Sequence, residues 1–191
     1  MSRTPVKAVA IGASAGAVQA LLAVLPALPV GFPLPVLVVV HVPPDRANVL
    51  VPLFQSKCRL TVKEADDKEP VVPGVIYFAP SDYHLLVEAD ETLALSTDEW
   101  VNYSRPSIDV LFESAADAYG PALVGVILTG ANNDGAAGLK AVMDAGGLAI
   151  VEEPGNAYAS AMPDAALEAC PAATTMSLDA IASYLPSLGT A

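Results

Sequence analysis

Basic side chains are scarce in this chain: nine Lys and Arg stand against 21 Asp and Glu, a formal net charge of −12 over 191 residues. No cluster of them exists that could neutralise a phosphate backbone or an anionic membrane face, so nucleic acid and membranes are not expected as partners. Cysteine is almost missing as well. Cys58 and Cys170 stand far apart, without the close spacing of a zinc or redox motif, and two cysteines do not make a disulfide framework. Both thiols are expected as small buried apolar side chains in a reducing cytoplasm, and neither metal nor cofactor is expected.

Neither a membrane span nor a cleaved leader is expected. Arg3 and Lys7 precede an uncharged stretch from Ala8 to Val40, and Ala13-Ser14-Ala15 has the small-x-small form of a cleavage site. Only the five residues Ala8 to Gly12 separate Lys7 from that site, whereas a signal peptide's apolar core needs about 7 to 15. Gly12, Gly16, Gln19, Pro26, Pro29, Pro33 and Pro35 cut the stretch into strand, helix, loop and strand instead.

What the chain has in abundance is apolar side chain. With 53% hydrophobic and 16% charged residues it can bury a sizeable core, and its length suits one domain over residues 1–191. Val6 to Ala13, Pro35 to Val42, Ala122 to Gly130 and Leu148 to Glu152 lack polar alternation, the pattern of strands covered on both faces. Between and after them, Ala15 to Leu28, Arg46 to Lys57, Ser107 to Tyr119, Gly135 to Ala145, Pro163 to Cys170 and Leu178 to Leu185 have helical spacing or composition. The alternation predicts an α/β fold, a doubly wound and mainly parallel sheet with helices on both faces. Val75 to Thr97, strand-like segments separated by polar turns, reads as an antiparallel hairpin or meander at the sheet edge. The charged stretch Lys63 to Glu69 reads as a connection.

In such a sheet, ligands and reactive groups gather beyond the carboxyl ends of the strands. Three strands end suggestively: one in Gly12-Ala13-Ser14-Ala15-Gly16, one in His41-Val42-Pro43-Pro44, one in Gly130-Ala131-Asn132-Asn133-Asp134-Gly135. Serine, histidine and aspartate are the inventory of a nucleophile, a general base and an orienting carboxylate. Each also has a plain structural reading. Ser14 and Asp134 both precede helices and could cap them, whereas an imidazole ending a wholly apolar strand needs a hydrogen-bonding partner. Gly12-x-Ser14-x-Gly16 matches the nucleophile elbow of α/β-hydrolases only in part, because there the order is serine, acid, histidine. The dinucleotide fingerprint is not met, and no Gly-Lys-Ser/Thr follows the turn.

Six segments, in order, resemble the catalytic domain of the CheB chemotaxis methylesterases: VAIGASAGA, VVVHVPP, PGVIYFAPSDYHLLV, RPSIDVLFESAA, GVILTGANNDGAAGL and AGGLAIVEEPGNAYASAMPDAA. That family hydrolyses glutamyl methyl esters on chemoreceptors, releasing methanol, and can deamidate receptor glutamines. The resemblance implies Ser14 as nucleophile, His41 as general base and Asp134 as its orienting partner. The backbone N–H groups of Ala15 and Ala131 are the expected oxyanion donors, and Asn132, Met162 and His84 are expected near the substrate. The expected partner is the cytoplasmic domain of a methylated chemoreceptor or a related signalling protein.

The departures from the family pattern cluster around these residues. Ala15 and Ala17 stand where Thr and Gly are common, Val40 and Val42 where Gln and Met are frequent, and Ala131-Asn132 where the family has Met-Gly; Asn132 is expected to tolerate a positive φ. A catalytically silent binding module in a chemosensory complex is the alternative these changes leave open. Arg105 and Asp109 are expected to stabilise a helix start and Glu152-Glu153 to be a solvated strand end; His84 is read as structural or substrate-facing rather than catalytic. Family members usually carry an N-terminal receiver domain. With the first strand beginning near Val6, the expectation, if the 191 residues are the whole product, is an uncovered site with no phosphorylation switch in cis.

Overall fold

The protein is described by a computed structural model covering residues 4–41 and 49–190. The strands are β1 (Ala8–Ala13), β2 (Val36–Val40), β3 (Thr61–Glu64), β4 (Val75–Phe78), β5 (His84–Val87), β6 (Leu93–Ser96), β7 (Leu123–Ile127), β8 (Leu148–Glu152) and β9 (Thr174–Met176). The helices are α1 (Ala17–Val24), α2 (Leu50–Gln55), α3 (Ile108–Tyr119), α4 (Ala136–Asp144), α5 (Ala161–Ala169) and α6 (Leu178–Ser187). Part of the helix expected over 46–57, and Val42, lie outside the described residues.

Seven strands form one parallel sheet in the order β3-β4-β2-β1-β7-β8-β9. The apolar runs are explained by burial on both faces. Along β1, Val9, Ile11 and Ala13 face one core with α1, α6 and Phe54 of α2, while Ala8 and Ala10 face a second core with Leu111 and Phe112 of α3, Leu139 of α4 and Ala166 of α5. The same alternation divides β2, with Val36, Val38 and Val40 in the first core and Leu37 and Val39 in the second. A parallel strand with helices on both sides has no solvent face, so no polar alternation is needed.

The chain runs from β1 outward through β2, then crosses back to add β7 on β1's other side. That reversal opens a crevice at the carboxyl ends of β1, β2 and β7. Two features differ from the sequence expectation. VIYF of β4 is not part of the antiparallel excursion but a parallel strand between β3 and β2; only His84 to Ser96 form the hairpin, a separate two-stranded sheet whose Leu85, Val87 and Leu93 pack in the second core. The connection at Lys63 to Glu69 begins inside β3, an edge strand.

Candidate active site

Ser14 lies one residue beyond β1, in a turn closed by Gly16 at φ 83°, and its N–H donates to the Thr129 carbonyl (2.9 Å). It does not cap α1: the N-cap position is taken by Gly16, with no side-chain cap. The Ser14 side chain turns instead to His41, whose Nδ1 is 3.1 Å from Ser14 Oγ. His41 follows β2 and is anchored to β1 by its N–H donating to the Ala13 carbonyl (3.3 Å). The other ring nitrogen, Nε2, is 2.7 Å from Asp134 Oδ2. Neutral His41 with its proton on Nε2 therefore donates to the carboxylate and offers the Nδ1 lone pair to the serine hydroxyl. The strand-end expectation placed these three side chains together, and two consecutive hydrogen bonds connect them.

Asp134 is fully buried. Like Ser14 it does not cap the following helix, α4, whose N-cap position is Gly135, without a side-chain cap. Its Oδ2 accepts from His41 and the Ile108 N–H (2.7 Å), its Oδ1 from Asn102 Nδ2 (2.8 Å), Ser107 Oγ (2.8 Å) and the Asp109 N–H (3.2 Å). Burial would raise this carboxyl. The bonds from His41, Ile108, Asn102 and Ser107 outweigh it and hold Asp134 below the ordinary aspartate value, so that it is a carboxylate at neutral pH.

The remaining expected residues divide. The N–H groups of Ala15 and Ala131 have no hydrogen-bond partner among the described residues, which leaves both available to an oxyanion. Asn132 Nδ2 lies 3.5 Å from His41 Nδ1, and Asn132 Oδ1 accepts the Asp134 N–H (3.1 Å). Its φ is not positive, so the Asn-for-Gly replacement needs no left-handed backbone. Met162 is fully buried against Gly130, where a Cβ would come 2.6 Å from its Sδ, so it supports the turn after β7. His84 is buried, with Nε2 donating to the Glu99 carbonyl (2.9 Å) and Nδ1 accepting the Ser107 N–H (3.1 Å). It supports Ser107, a partner of Asp134, and lies outside the reacting trio.

Three readings need correction. Arg105 does not steady the start of α3; its guanidinium binds Asp82 and the carbonyls of Thr97 and Asp98, tying the hairpin to the segment before the helix. Glu152 is not solvated: it is 1% exposed, its Oε2 accepts the Thr129 N–H (2.8 Å), and burial raises its carboxyl. Cys58 is only half-buried, although Cys170 is buried. Sequence reasoning missed Asn102, Ser107 as a partner of Asp134, and Thr129. Thr129 ties the serine turn to the 159–162 segment, its hydroxyl donating to the Ala15 carbonyl (2.8 Å) and accepting the Ala159 N–H (2.9 Å). Ser107 and Thr129 sit inside the RPSID and ILTG segments that carry the resemblance; Asn102 had no such signal.

A parallel α/β sheet with Ser, His and Asp joined by hydrogen bonds at its strand ends defines the class of serine hydrolases. More particularly, the chain belongs to the CheB methylesterase family, whose model matches residues 9–185. A Leptospira interrogans protein with the provisional name protein-glutamate methylesterase/protein-glutamine glutaminase is 45% identical over 92% of this chain and 91% of its own length. The Caulobacter vibrioides protein-glutamate methylesterase/protein-glutamine glutaminase 2 is 36% identical over 96% of this chain, which spans only 54% of that relative. The crystal structure of the Thermotoga maritima CheB methylesterase catalytic domain superposes with a TM-score of 0.92 at 35% identity, covering 97% of this chain and all of that one.

Among the described residues no helix is long and apolar enough to cross a membrane.

Proposed function

We propose that this chain hydrolyses glutamyl methyl esters on the cytoplasmic domain of a chemoreceptor or related signalling protein, releasing methanol, and deamidates glutamine with the same machinery. The observation that carries the proposal is the unbroken relay from Ser14 Oγ through His41 to Asp134. Ser14 Oγ attacks the ester carbonyl carbon while its proton passes to His41 Nδ1, and the resulting oxyanion is received by the N–H groups of Ala15 and Ala131. Collapse breaks the bond to the methoxy oxygen, which takes the proton from Nδ1 and leaves as methanol. Water then attacks the acyl-serine, giving one proton to Nδ1, and collapse returns that proton to Ser14 Oγ and frees the glutamic acid side chain, which loses its remaining proton to solvent. Asp134 stabilises the imidazolium formed in both halves. For a glutamine the departing group is ammonia.

The family membership and the retained Ser, His and Asp favour this reading over a silent binding module. Release of methanol from a methylated receptor domain tests it: wild type turns over, and Ser14→Ala loses at least about a thousandfold, the scale of removing a triad nucleophile. Equal release by the two proteins, or none by wild type, refutes it.

A further inference from the structure

Between the hairpin and α3, Val101 and Ser104 exchange both backbone hydrogen bonds (3.1 and 2.9 Å) across a two-residue turn formed by Asn102 and Tyr103. Both have positive φ, 51° and 61°. Asn adopts that region readily, but a bulky Tyr there is an outlier that the surroundings must stabilise, and such strain gathers at functional sites. Tyr103 is 95% exposed, so its own side chain gains little from the arrangement. Asn102 reaches inward. Its single amide nitrogen is 2.8 Å from Asp134 Oδ1 and 2.7 Å from Asp109 Oδ2.

We infer that Asn102 is a positioning residue for the esterase reaction, dividing its two amide hydrogens between Asp134 and Asp109 so that the carboxylate behind His41 stays ionised and aimed beside a second buried acid. The inference rests on the function proposed above. Two buried carboxylates close together cannot both ionise without donors that favour the charged form. Asp109 is served otherwise by the Gly138 N–H (2.6 Å), and burial followed by the charge of Asp134 pushes its carboxyl up. Among the described residues, the ionisable groups around Asp134 are His41 from the end of β2 and Asp109 and Glu113 from α3; His84 of β5 reaches it through Ser107, and Lys140 of α4 is paired with Asp144 at the surface. Apart from His41, the ionisable groups nearest Asp134 among the described residues are acids, and Asn102 supplies a neutral donor between it and Asp109.

Removing Asn102 should increase the proton affinity of the His41–Asp134 pair as a unit. In Asn102→Ala, the acid limb of kcat/KM therefore moves to higher pH by about one unit, the scale of one lost hydrogen bond or one neighbouring charge. Turnover on the methyl ester falls about tenfold with KM unchanged, the signature of support used in the transition state. Adding Asp109→Asn removes the repelling charge and moves the limb at least halfway back. Asn102→Ser, whose one hydroxyl can serve only one carboxylate, shifts the limb less in the same direction and serves if the alanine variant does not fold.

The same shifts are read without substrate by NMR titration of the ring of His41, one of two histidines in the chain. A shifted ring in a protein lacking esterase activity would overturn the proposed function, and with it the role of Asn102 in that reaction, and leave standing only the hold of Asn102 on the His41–Asp134 pair. A ring titration unmoved in the Asn102 variants, or unmoved by the second substitution, would overturn Asn102 as a positioning residue.

Discussion

Asp134 makes every hydrogen bond to its two oxygens from a different direction: the ring of His41, the backbone of Ile108 and Asp109, and the side chains of Asn102 and Ser107. An asparagine of the same shape can accept at one oxygen only. Its amide hydrogens would face the Ile108 N–H and the Nε2 proton of His41, which favours the opposite imidazole tautomer and takes the lone pair away from Ser14. Asp134→Asn is therefore expected to fold with an unchanged circular-dichroism spectrum while turnover falls by up to about four orders of magnitude, as when a triad's orienting carboxylate is neutralised. A loss smaller than tenfold would reduce Asp134 to a structural acceptor at the start of α3. The trio was legible in the sequence because each member follows a strongly apolar strand. Asn102 was not legible, since an asparagine in a polar segment acquires its meaning only when the turn at 101–104 folds against Asp134.

At the scale of elements, the site depends on how closely α3 approaches β1. Gly12 makes that approach possible, because a Cβ there would lie 2.4 Å from Ile108 Cγ2 and 2.8 Å from its Cδ1. Ile108 is fully buried, and its N–H is one of the donors that hold Asp134. Gly12→Ala should therefore displace the first turn of α3, costing about 1–3 kcal/mol as overpacking does. Ile108→Ala alone leaves a cavity at about 2–5 kcal/mol. Each change relieves the other, so the double variant should be more stable than the sum of the two losses by about 1 kcal/mol or more, measured by urea denaturation. Strict additivity would show that the two positions do not collide. The strands that fix this geometry, β1, β2, β7 and β8, announced themselves as uninterrupted apolar runs. β3 and β9 did not, because the sheet's two edge strands read TVKE and TTM and are only partly buried. β4 has an apolar run as clear as the others, but its direction depends on pairing with β2, which no local pattern encodes.

Across the whole molecule, the charge of −12 opposes compaction at neutral pH, and the buried acids outside the reacting trio add to that. Burial raises the carboxyls of Glu152 and Asp109, whereas hydrogen bonds lower that of Asp134. The signs differ. A depressed carboxyl such as Asp134 contributes stability above its unfolded value, lost as pH falls through its folded one; a raised carboxyl binds a proton more tightly folded than unfolded, so it costs stability once pH rises above the ordinary range. Glu152 isolates the second effect, since it is buried and has as its hydrogen-bond donor the Thr129 N–H, which is not a partner of Asp134. Glutamine keeps an oxygen to accept that N–H and removes the charge. Glu152→Gln is thus expected to raise the melting temperature at pH 7 to 8 by a few degrees, with about 2–4 °C corresponding to 1 kcal/mol in a chain of this size. The advantage should shrink as pH falls toward the ordinary glutamate value of 4.5. Added salt should raise the melting temperature of both proteins by screening surface repulsion, while leaving the difference between them nearly unchanged, because a buried charge is screened little. Calorimetric scans at several pH values and two salt concentrations distinguish these terms. A Glu152→Gln advantage that grew on acidification, or one abolished by salt, would mean that the buried carboxylate is stabilising or is exposed to solvent, and would refute its assignment as a desolvated charge that the fold tolerates at a cost.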